Sequence, residues 1–302
     1  MKRALLGVLT LLWIGYGIHG AFSYGNAYLT YRGFPPPKDP AGVSPGRLVH
    51  ERFYSSALHH QRKFLVYTPP GYVAAAAKGG RFPVLYLLHG SPGRPSQFID
   101  IAAAGVALDT GVDAHKLRPF LLVMPDGSDG TFRKETEWAN TPHGNYESLV
   151  KEIVHTVDQR FATRPNRRFR AVGGNSEGAY AAINLSLRNP RLFSIAESWS
   201  GYGIERPVGA FAHASPALIA ANSPAYYAPS LRAQLRRYPL HIFSYSGRSD
   251  RGLATRRTLA RELSAAGAHV IFRAFAGHHD WQLWRALTPE MLRYANHWFG
   301  RR

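Results

Sequence analysis

The sequence predicts an α/β fold with a doubly wound, mostly parallel sheet flanked by helices, because strand-like and helix-like segments alternate along most of the chain. Eight short runs rich in β-branched and aromatic residues are predicted as strands: 48–54, 63–68, 82–88, 120–124, 169–172, 194–200, 241–246 and 270–275. Six longer runs are predicted as helices: 97–108, 146–161, 177–188, 230–237, 254–266 and 281–299. A chain of 302 residues, 45% of them apolar, suffices for one substantial core. We therefore expect a single folded domain, residues 47–302, whose reactive groups lie at the carboxyl ends of the strands.

The charge balance is strongly basic, with 37 Lys and Arg residues against 19 Asp and Glu residues and a formal net charge of +18. Such a surface attracts anionic partners, and an anionic membrane or envelope surface is the partner we expect. Nucleic acid is not expected, because the basic residues are scattered and no nucleic-acid-binding motif accompanies them. The absence of cysteine excludes disulfides and a thiol nucleophile. Histidine occurs 14 times without an HExxH or similar spacing, so neither a metal nor another cofactor is expected.

The N-terminus has the features of an export signal. A Met-Lys-Arg start is followed by the apolar stretch ALLGVLTLLWIGYGI. Residues 1–22 are therefore predicted to be a signal peptide or a signal anchor, since the following segment has no A-x-A cleavage site. The alternative is a buried N-terminal helix, which four glycines would weaken. Residues 23–46, which include YRGFPPPKDPAGVSPG, are predicted as an extended linker, with the folded domain exported from the cytoplasm.

The strongest local motif is the pentapeptide Gly174-Asn175-Ser176-Glu177-Gly178, which lies between a predicted strand and a predicted alanine-rich helix. In a nucleophile elbow the serine occupies a strained strand-to-helix turn, and flanking glycines let neighbouring backbone pass where a Cβ would clash. The alternative is an ordinary glycine-rich turn, since the chain has 29 glycines. A phosphate-binding loop is disfavoured because no Gly-Lys-Ser/Thr follows. Ser176 is therefore the candidate nucleophile.

Two downstream residues complete a candidate triad in the chain order serine, acid, histidine. Asp250 follows the predicted strand HIFSYSG and is the candidate acid, with a solvated turn or a helix cap as its alternative role. Asp280 is disfavoured as the acid, because it is adjacent to the candidate base and adjacent side chains point apart. His279 follows the last predicted strand, and an imidazole titrates near neutral pH as a general base must. His278 is the alternative base, but His279 directly precedes Asp-Trp at the helix entrance.

The backbone amides of Glu177 and Ser91 are the candidate donors of an oxyanion hole, which needs two N–H groups aimed at the developing negative oxygen. Glu177 directly follows the nucleophile, and Ser91 lies in an HGS segment after an earlier strand. His89 is expected to shape this loop, because it precedes the serine in the chain whereas the base comes last. Asp126 also precedes the serine and is expected to organise its own loop.

Seven segments together resemble the esterase branch of the α/β-hydrolases, which includes esterase D, S-formylglutathione hydrolase, feruloyl and acetylxylan esterases, enterochelin esterases and the mycolyltransferases. These segments are FLVYTPPGY, FPVLYLLHG, LLVMPDG, VGGNSEGAYAA, FSIAESWSG, SGRSD and GHHDWQLWR. The resemblance spans Arg47 to the C-terminus, and it implies an α/β-hydrolase fold with the triad and oxyanion residues named above. Two residues depart from the family pattern: Glu177 stands where an apolar residue such as Met is common, and Ala179 stands where a glycine is usual.

The residues and the resemblance together predict ester hydrolysis through an acyl-enzyme without a cofactor. The expected substrate is a small-molecule, lipid or polysaccharide ester or thioester at the cell envelope. Trp138, Tyr202 and Trp281 are the aromatic residues expected in the cleft wall. The segment 201–231, rich in Tyr, Phe, Ile and Ala, is either a cap over the acyl group or a surface loop. Acyl transfer to an alcohol, as in the mycolyltransferases, and a catalytically inactive binding module of the envelope are the alternative functions.

Overall fold

The computed structural model describes residues 2–131 and 135–301, and an eight-stranded sheet forms its centre. The strands are β1 (Arg47–Ser55), β2 (His60–Thr68), β3 (Val84–Leu88), β4 (Leu121–Pro125), β5 (Asn140–Thr141), β6 (Gly144–Asn145), β7 (Arg170–Asn175), β8 (Ile195–Trp199), β9 (His241–Gly247) and β10 (His269–Phe275). The α-helices are α1 (Lys2–Tyr31), α2 (Tyr72–Ala77), α3 (Gln97–Asp100), α4 (Ala104–Asp113), α5 (Tyr146–Arg160), α6 (Glu177–Arg188), α7 (Pro216–Ala221), α8 (Pro224–Tyr227), α9 (Arg232–Arg237), α10 (Leu253–Ala265) and α11 (Trp281–Trp298).

The order of strands in the main sheet is β1-β2-β4-β3-β7-β8-β9-β10. The β1–β2 and β2–β4 pairs are antiparallel, and all pairs from β4 to β10 are parallel. Parallel neighbours need crossover connections, which the intervening helices provide. The carboxyl ends of the parallel strands therefore meet at one edge of the sheet, where the loops that follow β3, β7, β9 and β10 lie together.

The central strands are buried on both faces, which explains their nearly continuous apolar sequences. On β3, Leu85 and Leu87 pack with α4 and α11 on one face, whereas Val84, Tyr86 and Leu88 pack with α5 and α6 on the other. Helix α10 packs beside α6 on this second face. The predicted doubly wound α/β fold and its eight main strands are confirmed, with strand bounds that differ by only a few residues.

Three stretches differ from the predicted helices. The helix expected over 97–108 is divided into α3 and α4 at Ala103, whose φ of 54° is left-handed and breaks the right-handed helix. Helix α2 was not expected from the sequence. The segment 201–231 contains the short helices α7 and α8, and it packs against α6, where the Tyr180 hydroxyl donates to the Asn222 carbonyl oxygen at 2.7 Å.

The N-terminal segment forms one helix that continues into the linker expected over 23–46. Helix α1 ends at Tyr31, because Arg32 has a left-handed φ of 53° and the proline-rich stretch follows. Beyond the helix, the chain contacts the folded domain: the Arg285 guanidinium lies 4.7 Å from the centroid of the Phe34 ring. Within the described ranges, none of the helices combines the length and the apolar character that a bilayer span requires.

Candidate active site

The candidate nucleophile Ser176 lies in a sharp turn between β7 and α6. Its φ and ψ angles are 54° and −116°, a conformation that is rare for residues other than glycine. A Cβ on Gly174 or Gly178 would lie 2.1 Å or 1.9 Å from the carbonyl oxygen of Leu88, so both positions require glycine. The Ser176 N–H donates to the Trp199 carbonyl oxygen at 3.0 Å and ties the turn to β8.

The structure brings His279 between Ser176 and Asp250. Its Nε2 lies 2.9 Å from Ser176 Oγ, and its Nδ1 lies 2.8 Å from Asp250 Oδ2. Asp250 follows β9 and His279 follows β10, and these neighbouring parallel strands deliver both loops to the same edge. When Nδ1–H donates to the carboxylate, Nε2 is free to accept the serine proton. The three side chains thus have the arrangement of nucleophile, base and orienting acid.

The residues on either side of His279 occupy different positions. The His278 side chain is exposed, whereas the Asp280 carboxylate caps α11 by accepting a hydrogen bond from the Leu283 N–H at 3.1 Å. Of the two adjacent histidines, His279 is therefore the one within hydrogen-bond distance of the serine.

A buried arginine holds Asp250 in place. Arg256 Nη1 lies 2.7 Å from Asp250 Oδ1, and the Gly252 N–H donates to the same oxygen at 2.9 Å. Arg256 also donates from Nη1 to the Ser246 hydroxyl at 3.1 Å. Burial acts to raise the pKa of Asp250, but the hydrogen bonds from Arg256, Gly252 and His279 outweigh it and hold that pKa below its usual range. The carboxylate therefore stays ionised and aimed at the imidazole.

We expect Arg256→Gln to lower kcat/KM for ester hydrolysis by roughly 10- to 100-fold, because the orienting carboxylate loses its fixed position. Removing the cation also raises the pKa of Asp250, so the acid limb of the pH–rate profile moves to higher pH. Rate measurements across the acidic range check both effects. The matched control is Arg257→Gln, which changes an exposed arginine of the same helix and should leave the profile in place. An unshifted acid limb in Arg256→Gln would contradict this role for the arginine.

An aromatic edge contact supports the His279 ring. The Trp284 ring lies 5.1 Å from the imidazole centroid at an interplanar angle of 81°, and its Nε1–H donates to the Ser200 hydroxyl at 3.3 Å. Trp281, which is expected in the cleft wall, is half-buried and lies edge-on to Trp284 at 5.1 Å. Trp281 therefore contacts the tryptophan that supports the histidine.

Ser91 and Glu177, the candidate oxyanion residues, both line a cavity of about 350 Å³ beside the nucleophile. The loop that carries Ser91 approaches the elbow closely, since a Cβ on Gly90 would lie 3.0 Å from the Ser176 Cβ. The C-terminal part of α1 contributes Leu29 to the cavity lining, and Arg32, the residue that follows the helix, lines the cavity as well. Both candidate amides therefore belong to residues that face the same space.

His89 is buried and organises the loop of Ser91, as the sequence predicts. Its Nε2 accepts a hydrogen bond from the Gly127 N–H at 3.0 Å, so its proton resides on Nδ1, which lies 3.0 Å from the Gly90 carbonyl oxygen. Burial lowers the pKa of this imidazole and favours the neutral ring. Asp126 organises its own loop, because Oδ1 accepts from the Ser128 N–H at 3.0 Å and from its hydroxyl at 2.7 Å.

The other two aromatic residues expected in the cleft wall have partners inside the protein: Trp138 is buried, whereas Tyr202 is half-buried. Trp138 is 1% exposed, and its Nε1–H donates to the His89 carbonyl oxygen at 3.0 Å. Tyr202 stacks on Tyr180 with ring centroids 4.9 Å apart, and its hydroxyl donates to the Glu137 carboxylate. A large aromatic side chain with one polar group is stable in the interior when that polar group has a hydrogen-bond partner. Trp138 and Tyr202 both have such a partner.

Glu177 belongs to a cluster of buried carboxyl groups. Burial raises the pKa of Glu137 to about 7 and that of Glu205 to about 9, and repulsion between the carboxylates adds to the effect. Burial likewise raises the pKa of Glu177 well above its usual range. In the parts of the chain that the structure describes, no three histidine, aspartate or glutamate side chains are grouped as in a metal site.

Sequence reasoning missed Arg256, Trp284 and the loop of Glu137. A signal for the arginine was present, because helical periodicity places it on the same face as three buried residues of α10: Leu259, Ala260 and Leu263. An arginine on an apolar helix face needs a buried partner. Trp284 and Glu137 carry no comparable signal, since their partners are distant in the sequence.

Comparisons with known proteins identify the family. Residues 55–295 match the family described as Putative esterase. The chain is 28% identical over 152 residues to an endo-1,4-beta-xylanase/feruloyl esterase of Xylanibacter ruminicola, a match that covers 50% of this chain and 21% of that protein. It is 27% identical over 169 residues to Esterase Rv1288 of Mycobacterium tuberculosis, covering 55% of this chain and 35% of that protein. The matches thus span well under half of the length of these two relatives.

Solved structures show the same fold. A ferulic acid esterase has a TM-score of 0.76 at 22% identity, over 85% of this chain and 100% of that chain. An S-formylglutathione hydrolase from Staphylococcus aureus has a TM-score of 0.66 at 16% identity, over 83% of this chain and 99% of that chain. The solved structures show that the chain has the α/β-hydrolase fold, and the family match extends over most of the sequence, so this chain belongs to the Putative esterase family.

Proposed function

We propose that this protein is a serine esterase in which Ser176 is the nucleophile, His279 the general base and Asp250 the orienting acid. The observation that carries the proposal is the continuous hydrogen-bonded path from Asp250 through His279 to Ser176. A serine hydroxyl becomes a useful nucleophile when an adjacent base accepts its proton as the new bond forms. The amides of Ser91 and Glu177 donate to the oxyanion that develops on the ester carbonyl.

The proposed reaction has two acyl-transfer steps. In the first, Ser176 Oγ bonds to the ester carbonyl carbon, His279 Nε2 takes the hydroxyl proton, and the departing alkoxide receives that proton and leaves as the alcohol. In the second, water gives a proton to Nε2 and attacks the acyl carbon, and Ser176 leaves with that proton as the carboxylic acid is released. Asp250 remains ionised in both steps and balances the charge of the imidazolium.

We propose that the substrates are esters, or related thioesters, with an aromatic acyl group. The names of the xylanase/feruloyl esterase and of the ferulic acid esterase support this choice. The half-buried Trp281, which lies edge-on to the Trp284 ring that supports the histidine, offers a ring against which an aryl group can pack. The basic, apolar N-terminus supports export with the catalytic domain outside the cytoplasm, as a secreted or an anchored protein near an anionic envelope surface.

The full-length protein tests this function directly. We expect a fluorophosphonate to label Ser176, with the site identified by mass spectrometry, and we expect methyl ferulate to be hydrolysed in a panel of alkyl esters, aryl esters and thioesters. Product analysis with and without a sugar acceptor distinguishes hydrolysis from acyl transfer, and free acid should dominate in both. A protein that is neither labelled nor active on any ester would be a binding module instead of an esterase.

A further inference from the structure

We propose that the Glu177 side chain is a positioning group that holds the two halves of the oxyanion hole at a fixed spacing. This inference rests on the esterase function proposed above. The backbone N–H of Glu177 is one candidate donor, and its carboxyl group binds the segment 136–138. That segment in turn supports the loop that carries Ser91, the other candidate donor.

The first link runs from Glu177 to the segment 136–138. Glu177 Oε1 accepts hydrogen bonds from the backbone N–H of Thr136 at 3.1 Å, from that of Glu137 at 2.6 Å and from the Thr136 hydroxyl at 3.3 Å. Glu137 and Trp138 have left-handed φ angles of 52° and 50°, which are unfavourable for residues with a Cβ. Successive amides that converge on one oxygen form a concave turn, and an oxygen of the buried carboxyl group fills it. Glu177 therefore stabilises a backbone conformation that these residues do not favour by themselves.

The second link runs from Trp138 to the loop of Ser91. The Trp138 Nε1–H donates to the His89 carbonyl oxygen at 3.0 Å, and the two rings meet edge-on at 5.0 Å. The indole also packs against Gly127, where a Cβ would lie 2.5 Å from the ring. His89 lies two residues before Ser91, so a displaced indole moves the main chain that leads directly to the second donor. Because all of these groups are buried, little solvent is available to replace the lost contacts.

The chemistry of the link defines the variants that test it. Burial favours a neutral Glu177 carboxyl group, which binds its donors through one oxygen. The amide of Glu177→Gln retains an oxygen at this position, whereas the thioether side chain in Glu177→Met fills the space without accepting strong hydrogen bonds. A positioning role through hydrogen bonds therefore predicts that Glu177→Gln retains activity and that Glu177→Met loses most of it. A role in packing alone predicts that both work.

We expect Glu177→Met to lower kcat for a methyl ester by roughly 10- to 100-fold with a KM within about threefold of wild type. The reason is that a displaced oxyanion hole stabilises the transition state less, whereas substrate binding in the ground state changes little. Glu177→Gln should stay within about threefold of the wild-type kcat. Trp138→Phe, which removes the N–H to His89, should reduce kcat in the same way. The Glu177→Met/Trp138→Phe double variant should be no slower than the slower single variant, because both changes break one chain of contacts.

A second readout separates positioning from simple loss of stability. A thionoester carries sulfur where the ester carries the carbonyl oxygen, and sulfur accepts hydrogen bonds weakly, so the ester-to-thionoester rate ratio reports on the oxyanion hole. Glu177→Met should reduce this ratio. The matched control is Glu152→Met, which removes a half-buried carboxylate that binds the Ser55 hydroxyl at 2.5 Å and the Ala57 N–H at 2.9 Å. This control should lower Tm and leave the ratio unchanged.

The outcomes separate the two proposals. Equal behaviour of Glu177→Gln and Glu177→Met, an unchanged rate ratio, or additive effects in the double variant would overturn the positioning role while wild-type hydrolysis upholds the esterase function. A wild-type protein that hydrolyses no ester would overturn both.

Discussion

Replacing Ser176 with alanine is expected to lower kcat for ester hydrolysis by a factor on the order of 10⁵ or more. In the proposed mechanism the serine Oγ bonds to the acyl carbon, and this oxygen lies 2.9 Å from His279 Nε2. The fold should be unaffected, because alanine occupies less space and the backbone keeps the same turn. Steady-state rates on an aryl ester measure the loss, and a thermal denaturation curve checks that Tm stays within about 2 °C of wild type.

A second serine of the same helix provides the control for this substitution. Ser186 is buried on α6, where its hydroxyl donates to the Ile183 carbonyl oxygen at 2.9 Å. Ser186→Ala should retain wild-type kcat because the residue is nearly three turns of helix away from the elbow. Substantial hydrolysis or fluorophosphonate labelling in Ser176→Ala would show that another residue is the nucleophile.

Replacing His279 with alanine is expected to lower kcat/KM by a factor on the order of 10⁴ or more, because the general base is lost from both acyl-transfer steps. His278→Ala should stay within about threefold of wild type, because it is His279 that makes the hydrogen bond to Ser176. The two variants remove the same side chain from adjacent positions of one loop, so their difference isolates the hydrogen bond to Ser176. Parallel kcat/KM measurements on the two variants provide the check.

The opposite pattern would reassign the base. If His278→Ala were inactive and His279→Ala active, the loop after β10 would have to rearrange in solution to bring His278 to the serine. Asp280 gives a structural reason against this, because its cap on α11 holds the loop in the observed register.

The sequence predicted the main strands from local apolar runs, and it proposed the candidate triad from the order of its residues along the chain. A buried parallel strand needs a continuous apolar run, and the elbow needs small residues at fixed offsets from Ser176. Asp250 and His279 each follow a strand directly, so the topology of a parallel sheet already implies that their loops share an edge. His89 was correctly expected to shape its loop because it comes before the serine.

The contacts of individual side chains were decided only by the tertiary structure. Whether Trp138 and Tyr202 face the cleft or the interior depends on partners 49 and 65 residues away, which no local pattern records. The same holds for the carboxyl group of Glu177, which binds amides 40 and 41 residues earlier in the chain. The sequence by itself determined the fold class, the nucleophile turn and the candidate triad, since backbone sterics and strand order specify them. Only packing in three dimensions determined what holds those groups in place, because burial pairs each polar atom with whichever donor or acceptor the fold brings near.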